Sequence, residues 1–462
     1  MQRRCRAAPH PLPKHDDPAP DRRPVAEENL MAWFPQSALN EGVRKREVFA
    51  WAMYDFANSG YTTVVLTAVF NAYFVGVVAG NAQWATLAWT ASLAASCALV
   101  MLTMPTLGAY ADLRALKKRL LAFTTAGCVL STLALAFVGS GDVALAVVAI
   151  ILSNTCYAYG ESLIAAFLPE LARHEALGRV SGWGWSFGYF GGMLSLGLSL
   201  GYVLWAQAQG LSAQQFVPVT MIITAAVYGL ASLVTFAWLK ERARPHPGAL
   251  ADNGLRASLQ RLRETWRHAR RYRDFVWLLA CTACYQAGIA VVIALAAVYA
   301  EQVLGFQQAQ TMALVFLVNI ASALGAFGFG YLQDRLGHKP SLGLTLAGWI
   351  VMVALAYLAT GPGLFWMAAV VAGLCMGASQ SAGRALTGVF APPRHLAEFY
   401  GLWTFAVRLA AIVGPVTYGL VTWWTAGDHR LAILSTGLFF VAGLLLLRPV
   451  DVQRGRAAAV AE

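Results

Sequence analysis

A group of polar residues opens an otherwise apolar segment that starts near residue 48. Its members, spaced three and four residues apart, are Asp55, Asn58, Ser59 and Thr62. This spacing places them on one face of a helix. A charge inside a membrane costs roughly 2.5 to 3.5 kcal/mol, so we interpret Asp55 as a site for a proton or a substrate amine. The alternative is that Asp55 caps and orients the helix start, although it lies about two turns inside the segment.

Charged and hydrogen-bonding side chains also interrupt three later apolar segments. The candidates there are Tyr157 with Glu161, Gln380 with Arg384, and Arg408. An arginine in a dry cavity can clamp a carboxylate or a phosphate with paired hydrogen bonds, which would suit an amino acid or another organic anion. Alternatively, each arginine only satisfies a nearby acid or a helix-end carbonyl.

The composition indicates that membrane helices position these residues. Of the 462 residues, 58% are hydrophobic and 12% are charged, which is more apolar surface than a soluble fold can bury. Crossing the bilayer takes about 20 residues of helix, and a period-2 pattern typical of a barrel is missing. We therefore predict an all-α polytopic membrane protein with twelve transmembrane helices, at 48–79, 84–111, 119–139, 143–168, 179–206, 217–239, 275–301, 311–333, 341–360, 364–390, 399–424 and 431–448.

Several other classes of protein are excluded. The net charge of +11 does not indicate nucleic-acid binding, because the basic residues lie between apolar runs and not on one water-exposed face. No HExxH or Walker-type motif occurs, and no GxSxG lies at a strand–helix turn, so we predict no enzyme, metal site or cofactor. Cys281 and Cys284 form a CxxC without further ligands nearby, which favours helix packing over metal or redox chemistry. A run of glycines in the fifth segment also predicts close packing, at Gly182, Gly184, Gly188, Gly191 and Gly192.

The basic residues predict the orientation of the chain. Of 34 Lys and Arg residues, 31 lie on alternate loops, which places both termini and the loop 240–273 in the cytoplasm. Residues 1–47 have no apolar core of a signal peptide, so we expect a disordered tail, with Met31 as an alternative start. If the chain is bacterial, we expect it in the inner membrane.

The two halves of the chain repeat each other. GAYADLRALKKR at 108–119 matches GYLQDRLGHKP at 330–340 at an offset of 222, and a second match at 223 pairs Phe167 with Phe390. We therefore predict two pseudo-symmetric six-helix bundles, at 48–239 and 274–448, joined by the basic linker 240–273, with a C-terminal tail at 449–462.

The repeated loop predicts a gate. Glycine lets two helices approach closely, and an aspartate at a helix end can accept hydrogen bonds from a neighbouring helix N-terminus or from loop cations. Such a contact can form in one conformation and break in another. The alternative is a helix stop with charged flanks. The gating candidates are Gly108, Asp112 and Lys117 in one half, and Gly330, Asp334, Arg335 and Lys339 in the other.

The motifs between residues 48 and 448 resemble those of a known transporter superfamily. The two halves with their glycine–aspartate loops resemble the major facilitator superfamily. More narrowly, WAMYDFANS at 51–59, FLPELARHEALGRVSGWGWSFGYFGG at 167–192 and GASQSAGRALTGVFAPP at 377–393 resemble the vacuole-effluxer-like family, whose named member exports amino acids from the yeast vacuole.

The resemblance implies that spans 1, 4, 7 and 10 line a central cavity. The seventh span of that family tends to carry a tyrosine and a polar or acidic residue before a glycine. This chain has Tyr285 and Gln286 there, so an acid is missing at that position. Arg408 keeps a basic position of the eleventh span.

We therefore expect a secondary transporter, a monomer in the bilayer, that moves a small solute by alternating access. An amino acid or a related organic anion is the expected substrate, efflux the expected direction, and proton coupling is one option for the driving force. The alternatives are a drug-like efflux pump and a non-transporting receptor on the same fold.

Glu161 and Arg384 occupy equivalent positions of the two halves at the offset of 223. We predict that these opposite charges approach each other when the cavity is closed on the cytoplasmic side and separate when it opens. A buried ion pair is a weak stabiliser, because desolvation offsets the Coulomb attraction, but forming and breaking it suits a switch.

Overall fold

The computed structural model describes residues 34–245 and 272–461. The chain divides into two units, Met1–Ser37 and Ala38–Glu462. Only residues 34–37 of the first unit are described, so most of the predicted N-terminal tail lies outside the described residues. The central part of the predicted linker, 246–271, lies outside them as well. All helices named below belong to the second unit.

Within the described residues, twelve helices are long and apolar enough to cross a membrane, which confirms the predicted all-α fold. Each lies within a few residues of its predicted window. A short thirteenth helix follows the last span. In chain order they are α1 (Lys45–Val78), α2 (Ala85–Arg114), α3 (Lys117–Ala134), α4 (Val143–Ala165), α5 (Leu177–Ala208), α6 (Ala213–Trp238), α7 (Arg273–Leu304), α8 (Gln308–Leu336), α9 (His338–Leu358), α10 (Pro362–Phe390), α11 (Leu396–Trp424), α12 (His429–Leu447) and α13 (Val452–Val460).

Local sequence explains where several helices begin. The side chain of Asp428 accepts a hydrogen bond from the Leu431 amide at the start of α12 (2.9 Å), which caps the helix. Pro362 occupies the first turn of α10, where a missing N–H is tolerated. Between α8 and α9 the chain turns at Gly337, whose φ of +94° favours glycine.

The first span is irregular in its second half. The α-helical part ends at Tyr61, and two π-helical stretches follow, at Thr62–Ala68 and Phe74–Val78. Such stretches insert an extra residue per turn and are frequent at functional sites. The first of them begins at Thr62, the last of the four polar residues that the sequence singles out.

The first helix begins and the last span ends on the same side of the helical bundle, because the number of spans is even. We call the side where α1 begins at Lys45 and α12 ends at Leu447 the terminal face. Near this face the two halves touch through small residues. Gly108 of α2 lies against the backbone of Ala397 at the start of α11, and Gly182 of α5 lies against the backbone of Ala326 in α8. Without side chains at these glycines the helices approach closely.

The outward faces of the helices are apolar and exposed. Leu102, Phe123 and Phe137 are each more than three-quarters exposed, as expected for side chains that contact lipid. Trp423 and Trp424 are more than four-fifths exposed at the end of α11. That position is typical of interfacial tryptophans.

Candidate functional site

Arg384 of α10 forms an ion pair with Asp55 of α1, across the boundary between the halves. Its Nη1 donates to Oδ2 of Asp55 at 2.7 Å. Only 3% of the Arg384 side chain and 8% of the Asp55 side chain are exposed. Separating this pair without a replacement partner would therefore leave a charge buried alone, which costs about 3 to 5 kcal/mol.

The fifth helix fixes the guanidinium of Arg384. Nε donates to Oγ of Ser181 (3.1 Å) and Nη2 donates to its carbonyl oxygen (2.8 Å). The guanidinium also lies over the rings of Trp51, at 4.6 Å, and Trp185, at 5.3 Å, which adds cation–π attraction. All three kinds of guanidinium nitrogen are therefore occupied.

Gly184 makes room for this pair. A Cβ at this position would lie 2.5 Å from Oδ2 of Asp55 and 2.7 Å from Nη2 of Arg384. The predicted packing role of the glycine run in α5 agrees with Gly191, which lies against the backbone of Phe56. Gly184, by contrast, lies against the ion pair itself.

A second ion pair joins the halves at Glu161 of α4 and Arg408 of α11. Arg408 also lies 5.6 Å from the ring centre of Tyr157. This pair is more accessible than the first, with 12% of Arg408 and 24% of Glu161 exposed. Nε of Arg408 is buried and has no hydrogen-bond partner among the described residues.

The predicted pairing of Glu161 with Arg384 is therefore wrong for this conformation. The offset of 223 makes the two residues equivalent by pseudo-symmetry, but equivalence does not bring them together. Arg384 instead pairs with Asp55 of the first half, and Glu161 pairs with Arg408 of the second half. In both pairs the first half supplies the acid and the second half supplies the arginine.

The predicted polar face of α1 divides between two environments. Asn58 turns towards α6, where its Oδ1 accepts from the hydroxyl of Tyr228 at 2.7 Å. Ser59 donates to the Asp55 carbonyl of its own helix (3.1 Å), and Thr62 donates to the Ser59 carbonyl (3.1 Å). Among these four residues, Asp55 is the one whose side chain bonds to the opposite half.

The second half repeats the arrangement of α1 and α4 with different chemistry. Tyr54 of α1 lies against Gly160, and Tyr285 of α7 lies against Gly383. The residues that follow the two tyrosines are Asp55 and Gln286. Nε2 of Gln286 donates to Oε1 of Gln380 at 2.7 Å, so the predicted polar residues of spans 7 and 10 contact each other. The position that carries a charge in α1 is neutral in α7.

Both repeated aspartates bond to a helix start in the opposite half. Asp112 of α2 accepts from the Glu398 amide of α11 at 2.9 Å. Asp334 of α8 accepts from the Gly178 amide of α5 at 3.0 Å and from Nε of Arg179 at 2.6 Å. The structure thus forms the contact that the sequence predicts, with the partial positive charge of a helix N-terminus. We call these two contacts the aspartate latches.

The predicted gating cations remain within their own halves. Lys117 pairs with Glu170, and Nζ of Lys339 donates to the carbonyls of Arg448 and Val450, each at 2.7 Å. Arg335 is exposed on the terminal face. Gly330 lies against the backbone of Gly178 and Arg179 of α5, where a side chain would not fit. The sequence therefore identified the glycines and aspartates of the latches better than their cations.

Four residues of the site were not predicted from sequence. Ser181, Trp51, Trp185 and Gly184 all contact Arg384 or Asp55. All four lie in the quoted motifs, but neither a serine nor a glycine in an apolar helix signals that an arginine of another half will reach it. Within the described residues no group of three or more His, Cys, Asp and Glu is placed to hold a metal ion.

Comparison with known sequences decides the family. Residues 73–460 match the family described as "Vacuole effluxer Atg22 like". The chain belongs to this family. It is therefore a transporter of the major facilitator superfamily, not an enzyme, and a multi-pass integral membrane protein.

Relatives of this effluxer-like transporter occur in bacteria and fungi. The uncharacterized MFS-type transporter YxiO of Bacillus subtilis (strain 168) is 26% identical, over 86% of this chain and 93% of that protein. Autophagy-related protein 22-1 of Penicillium rubens is 25% identical, over 61% of this chain and 50% of that protein. The chain thus spans about half the length of that fungal relative.

Solved structures share the fold of this transporter. The human organic anion transporter MFSD10 (TETRAN) superposes with a TM-score of 0.66 at 14% identity, over 87% of this chain and 99% of that one. The proton:xylose symporter XylE gives a TM-score of 0.64 at 16% identity, over 88% of this chain and 95% of that one. At these identities the likeness establishes the major facilitator fold alone.

Proposed function

We propose that this chain is a secondary active transporter that exports a small carboxylate-bearing solute, an amino acid or a related organic anion, by alternating access. The observation that carries the proposal is the presence of two ion pairs between the halves, one buried and one partly accessible. A solute with a carboxylate can replace an acid of the first half as the partner of an arginine of the second half. Binding would then change the contacts between the halves.

Arg408 is the arginine that we assign to the substrate. Its ion pair with Glu161 is the more accessible of the two, and its buried Nε lacks a partner among the described residues. Arg384 is held by Ser181, Asp55 and two tryptophans, and each of its three nitrogens already donates to Ser181 or Asp55. We assign Arg384 to the lock between the halves, and Asp55 to proton exchange when that lock opens.

The aspartate latches support a gate on the terminal face. Asp112 and Asp334 hold the starts of α11 and α5 while that side is closed. Rocking of one half against the other would break both bonds together and open this side. By the excess of basic loop residues, we assign the terminal face to the cytoplasm and, in a bacterium, the chain to the inner membrane as a monomer that binds no nucleic acid.

Flux into proteoliposomes tests this function. Wild-type protein should move a radiolabelled amino acid or dicarboxylate, and Arg408→Lys should lower the apparent affinity for it about tenfold, because a lysine cannot form the bidentate bond. Asp55→Asn should remove the pH dependence of flux. Uptake of hydrophobic cations alone would favour a drug-like pump instead, and folded protein without any flux would favour a receptor. Either result would overturn the proposal.

A further inference from the structure

A cationic cavity opens on the terminal face of the second half. Its volume is about 550 Å³, and it lies where the start of α7, the start of α9, the end of α12 and the start of α13 meet. The charged and titratable side chains that line it are Arg273, His338, Lys339, Arg448, Arg454 and Asp451. The ion pairs of the transport site are not part of it.

Basic charge in this cavity exceeds acidic charge. Arg454 is neutralised by Asp274, to which its Nε and Nη2 donate at 2.8 and 2.6 Å. Lys339 instead donates to two backbone carbonyls, which leaves its charge uncompensated. Arg273 and Arg448 are exposed and form no ion pair with any carboxylate in the described part of the chain. The cavity therefore attracts an anion.

At the equivalent place in the first half, acidic residues neutralise the basic charge. Lys117, which matches Lys339 in the repeat, pairs with Glu170. Glu241 accepts from the amides of Lys117 and Lys118 at 2.8 and 3.1 Å. Burial raises the pKa of Glu241, and the two N–H groups oppose that rise. The uncompensated charge of the second half is thus a feature of this cavity and not of every basic loop.

Exposed leucines lie a few residues along the chain from the residues that line the cavity. Leu336, Leu344 and Leu445 are each about half exposed. Leu336 lies one residue before Gly337, Leu344 lies four residues after Pro340, and Leu445 lies three residues before Arg448. A Cβ built on Gly343 of α9 would lie 3.7 Å from the side chain of Leu447 in α12, so the helices that carry Leu344 and Leu445 pack against each other. A ligand that fits both the cationic cavity and the exposed leucines has an anionic headgroup and hydrocarbon chains.

We propose that this cavity binds the headgroup of an anionic glycerophospholipid, whose acyl chains lie along Leu336, Leu344 and Leu445. Basic pockets between membrane helices bind such headgroups. The phosphate would contact Arg273, Lys339 and Arg448, which come from three different helices. The lipid would fill the space between α7, α9 and α12. The proposal does not depend on the transported solute.

Titration of the full chain in detergent with phosphatidylglycerol and with phosphatidylcholine tests this site, with bound lipid read by native mass spectrometry. Wild-type protein should bind phosphatidylglycerol at least tenfold more tightly than phosphatidylcholine. The double variant Arg273→Gln, Arg448→Gln should lose about tenfold or more of that affinity, as expected for two cations at a headgroup. The matched double variant Arg46→Gln, Arg119→Gln removes the same charge from exposed positions of the first half. This control variant should lose less than twofold of the affinity for phosphatidylglycerol.

Three outcomes would overturn the proposal. The two double variants could lose affinity equally, which would indicate general attraction to basic loops. Excess inorganic phosphate could displace the lipid, which would indicate a site for a free anion. The wild type could also fail to distinguish the two lipids. If the pocket double variant does not reach the wild-type melting temperature in phosphatidylcholine, Arg448→Glu alone carries the same test at an exposed position.

Discussion

Each kind of nitrogen in the Arg384 guanidinium donates a hydrogen bond, and the partners come from α1 and α5. In addition, the Arg384 carbonyl accepts from the hydroxyl of Tyr400 in α11 at 2.8 Å. One residue of α10 therefore contacts three other helices. A movement between the halves would therefore break some of these hydrogen bonds, because the Arg384 side chain cannot follow one partner without losing its bond to another.

The Asp55–Arg384 pair predicts a coupled effect on stability. Asp55→Asn or Arg384→Gln alone should lower the free energy of unfolding in detergent by about 3 kcal/mol or more, since each leaves one buried group without its ionic partner. The double variant should be less destabilised than the sum of the two, by about 1 to 3 kcal/mol. Thermal or denaturant unfolding of the four proteins measures this difference. Strict additivity would show that the pair does not act as a unit.

The fifth helix shows how small residues serve two purposes along one element. Near its middle Gly188 and Gly191 bring α1 close, and a Cβ at Gly188 would lie 3.2 Å from the Asp55 carbonyl oxygen. Earlier in the helix Gly184 leaves the volume that the ion pair fills. Further along, at Gly197 and Gly201, a Cβ would meet no atom within 4 Å.

This difference along α5 gives a matched pair of variants. Gly184→Ala should destabilise the protein by about 1 to 3 kcal/mol, the usual effect of overpacking, and should weaken flux, because the new methyl group displaces Asp55 or Arg384. Gly197→Ala, in the same helix, should be neutral or slightly stabilising. Melting temperature and flux measured side by side check both. Equal effects of the two substitutions would contradict the assigned role of Gly184.

Hydropathy and internal repetition were sufficient to predict the helices and the latch aspartates. An apolar window of about 20 residues fixes a span whatever its neighbours are. The Gly108 and Gly330 loops repeat at a constant offset, so their aspartates were placed correctly at helix ends. Contacts between halves were harder to predict. Which side chain meets Arg384 depends on how two bundles face each other, and no spacing along the chain encodes that arrangement.

The distribution of charge suggests how the two bundles work together. Acids of the first half, Asp55 and Glu161, form ion pairs with arginines of the second half, Arg384 and Arg408. On the terminal face each half contributes one aspartate, Asp112 or Asp334, to a helix start of the other. Both sets of contacts exist together in this conformation. Opening the terminal face would require the latches to break.

The most direct test of this account is the distance between the halves, measured by electron spin resonance on pairs of spin labels. Labels at Arg119→Cys and Arg335→Cys report on the terminal face, and labels at Gln83→Cys and Gly363→Cys on the opposite face, in a background without the native cysteines. A charge-assisted hydrogen bond contributes about 1.5 to 3 kcal/mol. The combined variant Asp112→Ala, Asp334→Ala should therefore shift the population towards the open terminal face by about tenfold or more.

In that variant the terminal-face distance should lengthen while the opposite-face distance shortens. Asp142→Ala is the control, because its carboxylate accepts from the Gly139 amide of the same loop at 2.9 Å, and it should leave both distances unchanged. If the latch variant changes neither distance, or lengthens both together, the two halves do not rock about a central site and the proposed transport cycle is contradicted.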